Sequence, residues 1–111
     1  MRPSYLLLFI GLALPAYANL EQEVTRLIDN IEQSSCIFYR NGKAYSPLEA
    51  AEHIANKWDY AKDDVDNLDT FIREVASKSW FTGKPYMVEC ADKQLTSQEW
   101  LLELAHSSSA Q

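Results

Sequence analysis

Two cysteines, Cys36 and Cys90, and two histidines, His53 and His106, are the residues of this 111-residue chain best suited to nucleophilic, redox or metal chemistry. Their spacing serves none of the three. Two cysteines without a C-x-x-C spacing carry no thiol-redox or zinc signature, and a cysteine is a nucleophile only when unpaired. A Ser-His-Asp site is defined by geometry, not by the presence of its residue types. His53 falls on a helix face beside Asn56 and Lys57, one step from an apolar stripe, and reads as a partly exposed helix residue. His106 lies near the chain end. Asp59, Asp63, Asp64, Asp66 and Asp69 form an acidic run without the glycine and the closing bidentate glutamate of a calcium loop. They read as a solvated corner with helix caps. Thr82-Gly83-Lys84-Pro85 lacks the glycine-rich run of a phosphate loop and the Ser/Thr after Gly-Lys. No catalytic, metal or cofactor residue is assigned. Paired carboxylates facing a cleft could still hydrolyse a glycan, so a weak cell-wall or glycan hydrolase is the enzymatic alternative.

The cysteines are better explained by export. Met1 to Tyr5 include one cation, Arg2. An apolar run, Leu6 to Leu14, leads to Pro15 and then Ala16-Tyr17-Ala18. This is the pattern of a cleavable signal peptide over residues 1–18, and the run is too short to span a bilayer. A soluble domain over 19–106 follows, with a flexible tail at 107–111 and no stable membrane anchor. An exported chain keeps disulfides, so Cys36 and Cys90 are expected to pair. The chain has 16 acidic and 10 basic residues, a net charge of -6. Loss of Arg2 with the leader leaves about -7. Nucleic acid needs a cationic footprint and is not an expected partner. A basic partner suits the charge, which also serves solubility.

The elements that must position these residues can be read from periodicity. Leu20, Val24, Leu27, Ile28 and Ile31 mark a helix over 20–33. Cys36 to Arg40 reads as a strand that ends in the Asn41-Gly42 turn. Ser46, Pro47 and Glu49 open a second helix with a capping box, and Ala50, Ala51, Ile54, Ala55 and Trp58 are its buried face. Leu68, Phe71, Ile72, Val75 and Ala76 predict a third helix over 66–78. Tyr86 to Cys90 reads as a second strand. Thr96 to Glu99 is a further capping box, opening a last helix with Trp100, Leu101, Leu104 and Ala105 inward. The expected fold is α+β, about four helices packed on a short two-stranded antiparallel ribbon with one disulfide.

A bridge between Cys36 and Cys90 sets a register in which Phe38 opposes Val88 and Arg40 opposes Tyr86. Cys36, Phe38, Val88 and Cys90 then share one face, and Ile37, Tyr39, Met87 and Glu89 the other. The register also brings the two turns together. Arg40, Lys43 and Lys84 converge near Tyr45, Trp80, Phe81 and Tyr86, a basic and aromatic corner that is a candidate binding patch. The structural alternative is that Trp80 and Phe81 close the core while Gly42 and Pro85 only shape turns.

The same residues carry a resemblance. Phe38-Tyr39-Arg40-Asn41-Gly42, Tyr45, Glu49-Ala50-x-x-His53, Phe71-Ile72-x-x-Val75-Ala76-Ser77 and Thr82-Gly83-Lys84-Pro85-Tyr86 resemble a family of uncharacterised exported bacterial proteins, domain of unknown function 5329. The likeness runs from about Leu20 to Leu104. It implies a Gram-negative periplasmic protein and transfers no catalytic role. The family's run of small serines before the Gly-Lys-Pro-Tyr turn is interrupted here by Trp80 and Phe81. The expectation is a periplasmic, non-enzymatic protein that binds another periplasmic protein or envelope component. The sharpest version is an inhibitor or neutraliser of a basic enzyme or toxin, and a structural envelope role is a further alternative.

Overall fold

The computed structural model describes residues 19–109, so the expected signal peptide lies outside the described residues. Helix α1 spans Leu20–Gln33 and is opened by Asn19, whose side chain accepts from the Gln22 amide at 2.8 Å. Strand β1, Ile37–Arg40, turns through Asn41 and Gly42 into β2, Lys43–Tyr45. Both turn residues have positive φ, 51° and 81°, as a two-residue hairpin requires. Helix α2, Pro47–Ala61, carries the expected capping box of Ser46 and Glu49. A 3-10 turn at Lys62–Asp64 leads to helix α3, which opens as an α turn over Leu68–Thr70 and continues as a π turn over Phe71–Val75. Strands β3, Met87–Cys90, and β4, Lys93–Thr96, precede helix α4, Ser97–Ser109. The last helix continues past residue 106, where the domain was expected to end.

The fold is α+β with one disulfide, as expected, but its sheet has four strands and not two. The order is β2-β1-β3-β4, with every neighbouring pair antiparallel. The expected central register holds, with Phe38 opposite Val88, Ile37 opposite Glu89 and Tyr39 opposite Met87. The ladder stops there. Arg40 pairs with Lys43 across the hairpin. The Tyr86 amide turns away to the Ser77 carbonyl at 2.8 Å. The missing strands are the two edges. Each is short and polar, held by main-chain bonds to one neighbour, so neither shows an apolar alternation.

One sheet face meets the helices. Phe38 and Val88 are buried against Val24, Ile54, Phe71, Ile72, Val75 and Leu101. Phe38 meets Trp100 edge-on at 5.5 Å, and Trp58 meets Phe71 in the same way at 5.5 Å. Cys36 and Cys90 are joined, 54 residues apart in sequence, at the end of the two central strands. Closing a loop of that length restricts the unfolded chain by about 4 kcal/mol. Replacing both cysteines with serine should lower the unfolding free energy by about that amount, read as a fall in the urea midpoint at unchanged slope. A loss below about 1 kcal/mol would show that the bridge constrains little.

Candidate functional site

Between α3 and β3 the chain makes a projecting loop, built around one serine. The Ser79 hydroxyl accepts from the Phe81 amide at 3.1 Å and the Thr82 amide at 3.2 Å. The Ser79 amide donates to the Lys84 carbonyl at 3.0 Å, and its carbonyl accepts from the Gly83 amide at 2.9 Å. Gly83 sits at a φ of 76°, where a side chain would be strained. The Thr82 hydroxyl donates to the Asn41 side-chain oxygen at 2.9 Å and accepts from the Lys84 amide at 3.1 Å. The hairpin turn at Asn41 is therefore fastened to the loop.

That contact brings the two ends of the basic and aromatic corner together. The Arg40 guanidinium lies over the Tyr45 ring at 3.9 Å, with the Lys43 ammonium at 5.7 Å. Lys84 is exposed on the loop. Trp80 and Phe81 do not close the core: they are 47% and 99% exposed. Trp80 is anchored by its indole N–H, which donates to the Glu74 carbonyl at 2.8 Å. Tyr60, exposed at the end of α2, has its ring centroid 5.9 Å from that of Trp80. Tyr86 alone of the expected patch is buried.

Beneath the loop lies a polar cluster that composition does not announce. Lys57 is buried, and no carboxylate is among its hydrogen-bond partners. Its ammonium donates to the Lys78 carbonyl at 2.8 Å and the Tyr86 hydroxyl at 3.0 Å. It also faces the Trp80 ring at 4.3 Å and the Tyr86 ring at 4.8 Å. Burial, with Arg40 and Lys78 nearby, pushes its pKa down to about 8. His53 Nε2 lies 3.1 Å from the same Tyr86 hydroxyl. Burial, then Arg40 and Lys57, hold its pKa at about 4, so the imidazole is neutral at neutral pH. Burial raises the Tyr86 pKa. A recess of about 20 Å³ beside the cluster is lined mostly by apolar side chains, among them Ile31, Phe38, Ile54 and Leu101, together with Arg40, His53 and Tyr86.

Lys57 and His53 had a legible place. Ala50, Ile54, Lys57 and Ala61 recur at four- and three-residue steps along α2, so the stripe runs through the lysine. Residue type overrode spacing. Tyr60 and Ser79 carried no comparable signal, since both work through the conformation of the loop.

These shifts set the pH dependence of stability. A lysine with a pKa of about 8 in the fold and 10.5 outside it binds fewer protons when folded. Stability therefore rises as pH goes from 8 toward 10, by about 2 kcal/mol, before the raised Tyr86 pKa reverses the trend. His53 acts in the same sense at lower pH, and stability falls as pH drops from 6.5 toward 4. Urea unfolding at pH 7.5 and 9.8 should show the alkaline gain in the wild type and lose most of it in Lys57→Met. Equal gains in both proteins would place the effect elsewhere.

No solved structure matches the chain. A curated protein of Salmonella typhimurium (strain LT2), described as an uncharacterized protein, YfeK, is 36% identical over 80 residues, covering 68% of this chain and 67% of that protein. The family described as "Family of unknown function (DUF5329)" matches residues 18–108. The matched span takes in the whole sheet, the disulfide and the loop fastened to Asn41, and the chain belongs to that family.

Proposed function

We propose that the protein is a non-enzymatic binding protein of the periplasm that inserts Phe81 and Trp80 into an apolar cleft of a basic protein, such as an enzyme or toxin that it neutralises. The observation that carries this reading is Phe81, 99% exposed at the tip of a loop tied down by its own hydrogen bonds. Leaving a phenylalanine in water costs a folded domain about 2 kcal/mol of burial it could have had. A partner that covers the ring recovers that free energy. The hydrogen-bonded loop has little entropy left to lose on docking, which favours affinity. Exposed Trp and Tyr beside it are the residue types that dominate binding energy at interfaces.

Charge supports a basic partner. The chain carries a net charge of -6. A shallow groove lined by Asp64, Thr70, Glu74, Lys78 and Trp80 runs from the aromatic tip into the acidic corner. Arg40 and Lys43, at the hairpin that Asn41 fastens to the loop, and the exposed Lys84 on the loop would orient a bound protein and repel one of uniform positive charge. The disulfide suits an oxidising compartment, in keeping with export.

Calorimetric titration against a lysozyme-like basic enzyme, at low and moderate salt, tests the reading. The wild type should bind at micromolar levels or better and reduce the enzyme's activity. Phe81→Ala should weaken binding by about ten-fold or more, mainly through faster dissociation. Changing Asp63, Asp64 and Asp66 together to Asn should slow association at low salt and matter little at moderate salt. No binding or inhibition across a panel of such enzymes at micromolar concentration would overturn the proposal. So would an affinity that ignores Phe81→Ala and responds only to Arg40→Ala and Lys84→Ala, the signature of a polyanionic ligand.

A further inference from the structure

Tyr86 joins the loop to the helix beneath it. Its amide donates to the Ser77 carbonyl at 2.8 Å. Its hydroxyl meets two side chains of α2, Lys57 at 3.0 Å and His53 at 3.1 Å. Lys57 in turn donates to the Lys78 carbonyl at the base of the loop, at 2.8 Å. We propose that His53 is an acid-operated latch on this loop: a proton on its imidazole breaks the relay from His53 through Tyr86 and Lys57 to Lys78, and frees the segment that carries Trp80 and Phe81.

The count of protons fixes the direction of each bond. The Lys57 ammonium can only donate, so the Tyr86 oxygen accepts from it. The hydroxyl has one proton of its own, and His53 Nε2 is its acceptor among the described residues. Tyr86 is buried, where a hydroxyl proton left unpaired is costly. Nε2 is therefore the bare nitrogen, and the imidazole proton sits on Nδ1. The closed loop thus depends on a neutral His53. An imidazolium donates from both nitrogens. Two donors would then face the Tyr86 oxygen, and the hydroxyl proton would have no acceptor.

The surrounding charges act in the same direction. Arg40 of β1 and Lys57, one turn further along α2, both act on His53, and Lys78, just after α3, acts on Lys57. Tyr45 of β2 is the other titratable group at the recess beside the imidazole, and α4 and α1 bring only uncharged side chains there. Of the α2 carboxylates, Glu52 is exposed, and Glu49 accepts from the Ser46 amide at 2.9 Å; neither acts on the imidazole. A proton on His53 would therefore set three cations around one tyrosine. Withdrawal of Lys57 relieves them, and takes its ammonium from the Lys78 carbonyl and the Trp80 ring. Burial and these cations hold the imidazole at about 4, against 6.5 outside the fold, so the closed loop loses ground as pH falls from 6.5 through 4. His53 is half-buried, within reach of a proton from solvent. The relay lies away from the disulfide end of the sheet, so the opening is local.

The latch would regulate the contact surface proposed above and rests on that reading for its use, but its test needs no partner. Failure to find a basic partner would leave the result of this test as it is. Amide exchange in the free, ¹⁵N-labelled protein reads the loop directly. At pH 3.5 the Phe81, Thr82 and Gly83 amides should exchange about ten-fold faster or more in the wild type than in His53→Gln, whose side-chain oxygen can accept but gains no charge. At pH 6.5 the two proteins should agree. Val24 and Val88 should keep their native shifts throughout. The loop amide shifts of the wild type should titrate with the midpoint of the His53 ring protons, with His106 as the internal control. Tyr86→Phe keeps the ring and removes the relay, so its loop should exchange fast at both pH values. An equal acid response in the wild type and His53→Gln would overturn the proposal. So would a loop that opens only as Val24 and Val88 lose their native shifts, or a Tyr86→Phe loop that stays closed until acid opens it.

Discussion

The antiparallel pairing of β1 with β3 is the constraint on which the rest of the molecule depends. It joins segments about fifty residues apart, and a one-residue slip of either strand would turn its core residue, Phe38 or Val88, to solvent and bring its neighbour, Ile37 or Glu89, into the core. The Cys36–Cys90 bond closes one end of this pair. At the other end the strands part, and each turn is free to take its own shape. Arg40 hands the chain to the Asn41-Gly42 hairpin, while Tyr86 drops into the core and pairs with Ser77. The candidate binding surface lies at this second end, where the ladder stops. The covalent end holds the register, and the open end is where side chains can point outward.

Lys57 ties the open end to α2. An ammonium taken out of water without a carboxylate is costly, and here a carbonyl, a hydroxyl and two aromatic faces replace its hydration. The carbonyl belongs to Lys78 and one of the rings to Trp80, so the ammonium on α2 grips the base of the loop from below. From above, the Ser79 hydroxyl holds the loop's backbone, and the Asn41 side chain holds the Ser79 and Thr82 hydroxyls. An apolar residue at 57 would fill the space without reaching a carbonyl. The burial penalty on Lys57 is thus coupled to the position of the loop.

Much of this was legible in the sequence because apolar spacing and capping chemistry agreed. The helix at 20–33 was read from its apolar stripe, the helices after Ser46 and Thr96 from stripes that agree with capping boxes, and the central register from the expected disulfide together with strand alternation. The edge strands were not legible, since Lys43-Ala44-Tyr45 and Lys93-Gln94-Leu95-Thr96 are held by backbone bonds that side chains do not encode. Nor was the π turn at Phe71–Val75, because Leu68, Phe71, Ile72 and Val75 fit an ordinary helix equally well. Of the corner, the register predicted only that the two turns would lie near each other, and the Asn41–Thr82 contact joins them, although Arg40 does not oppose Tyr86. The exposure of Phe81 was not legible, as it follows from a web of bonds to Ser79 rather than from hydropathy. The inward turn of Tyr86 has the same origin, since it depends on where the ladder ends.

For a partner of the proposed kind, the charge distribution and the aromatic tip would divide the work of recognition. Screening at physiological salt reaches about 8 Å, so a partner within the last few ångströms feels nearby groups more than the net charge. Further out, in dilute salt, the overall negative charge governs approach. The tip stands beside a groove lined by Asp64 and Glu74, while Arg40 and Lys43 lie at the hairpin that Asn41 fastens to the loop and Lys84 lies on the loop itself. Opposite signs near one tip favour one orientation of a partner and penalise its reverse. Trp80 and Phe81 then govern how long the contact lasts, because buried apolar area acts chiefly on dissociation. A surface of this kind can be selective without a deep pocket of its own, since the partner supplies the concavity and this chain supplies the rigid ridge.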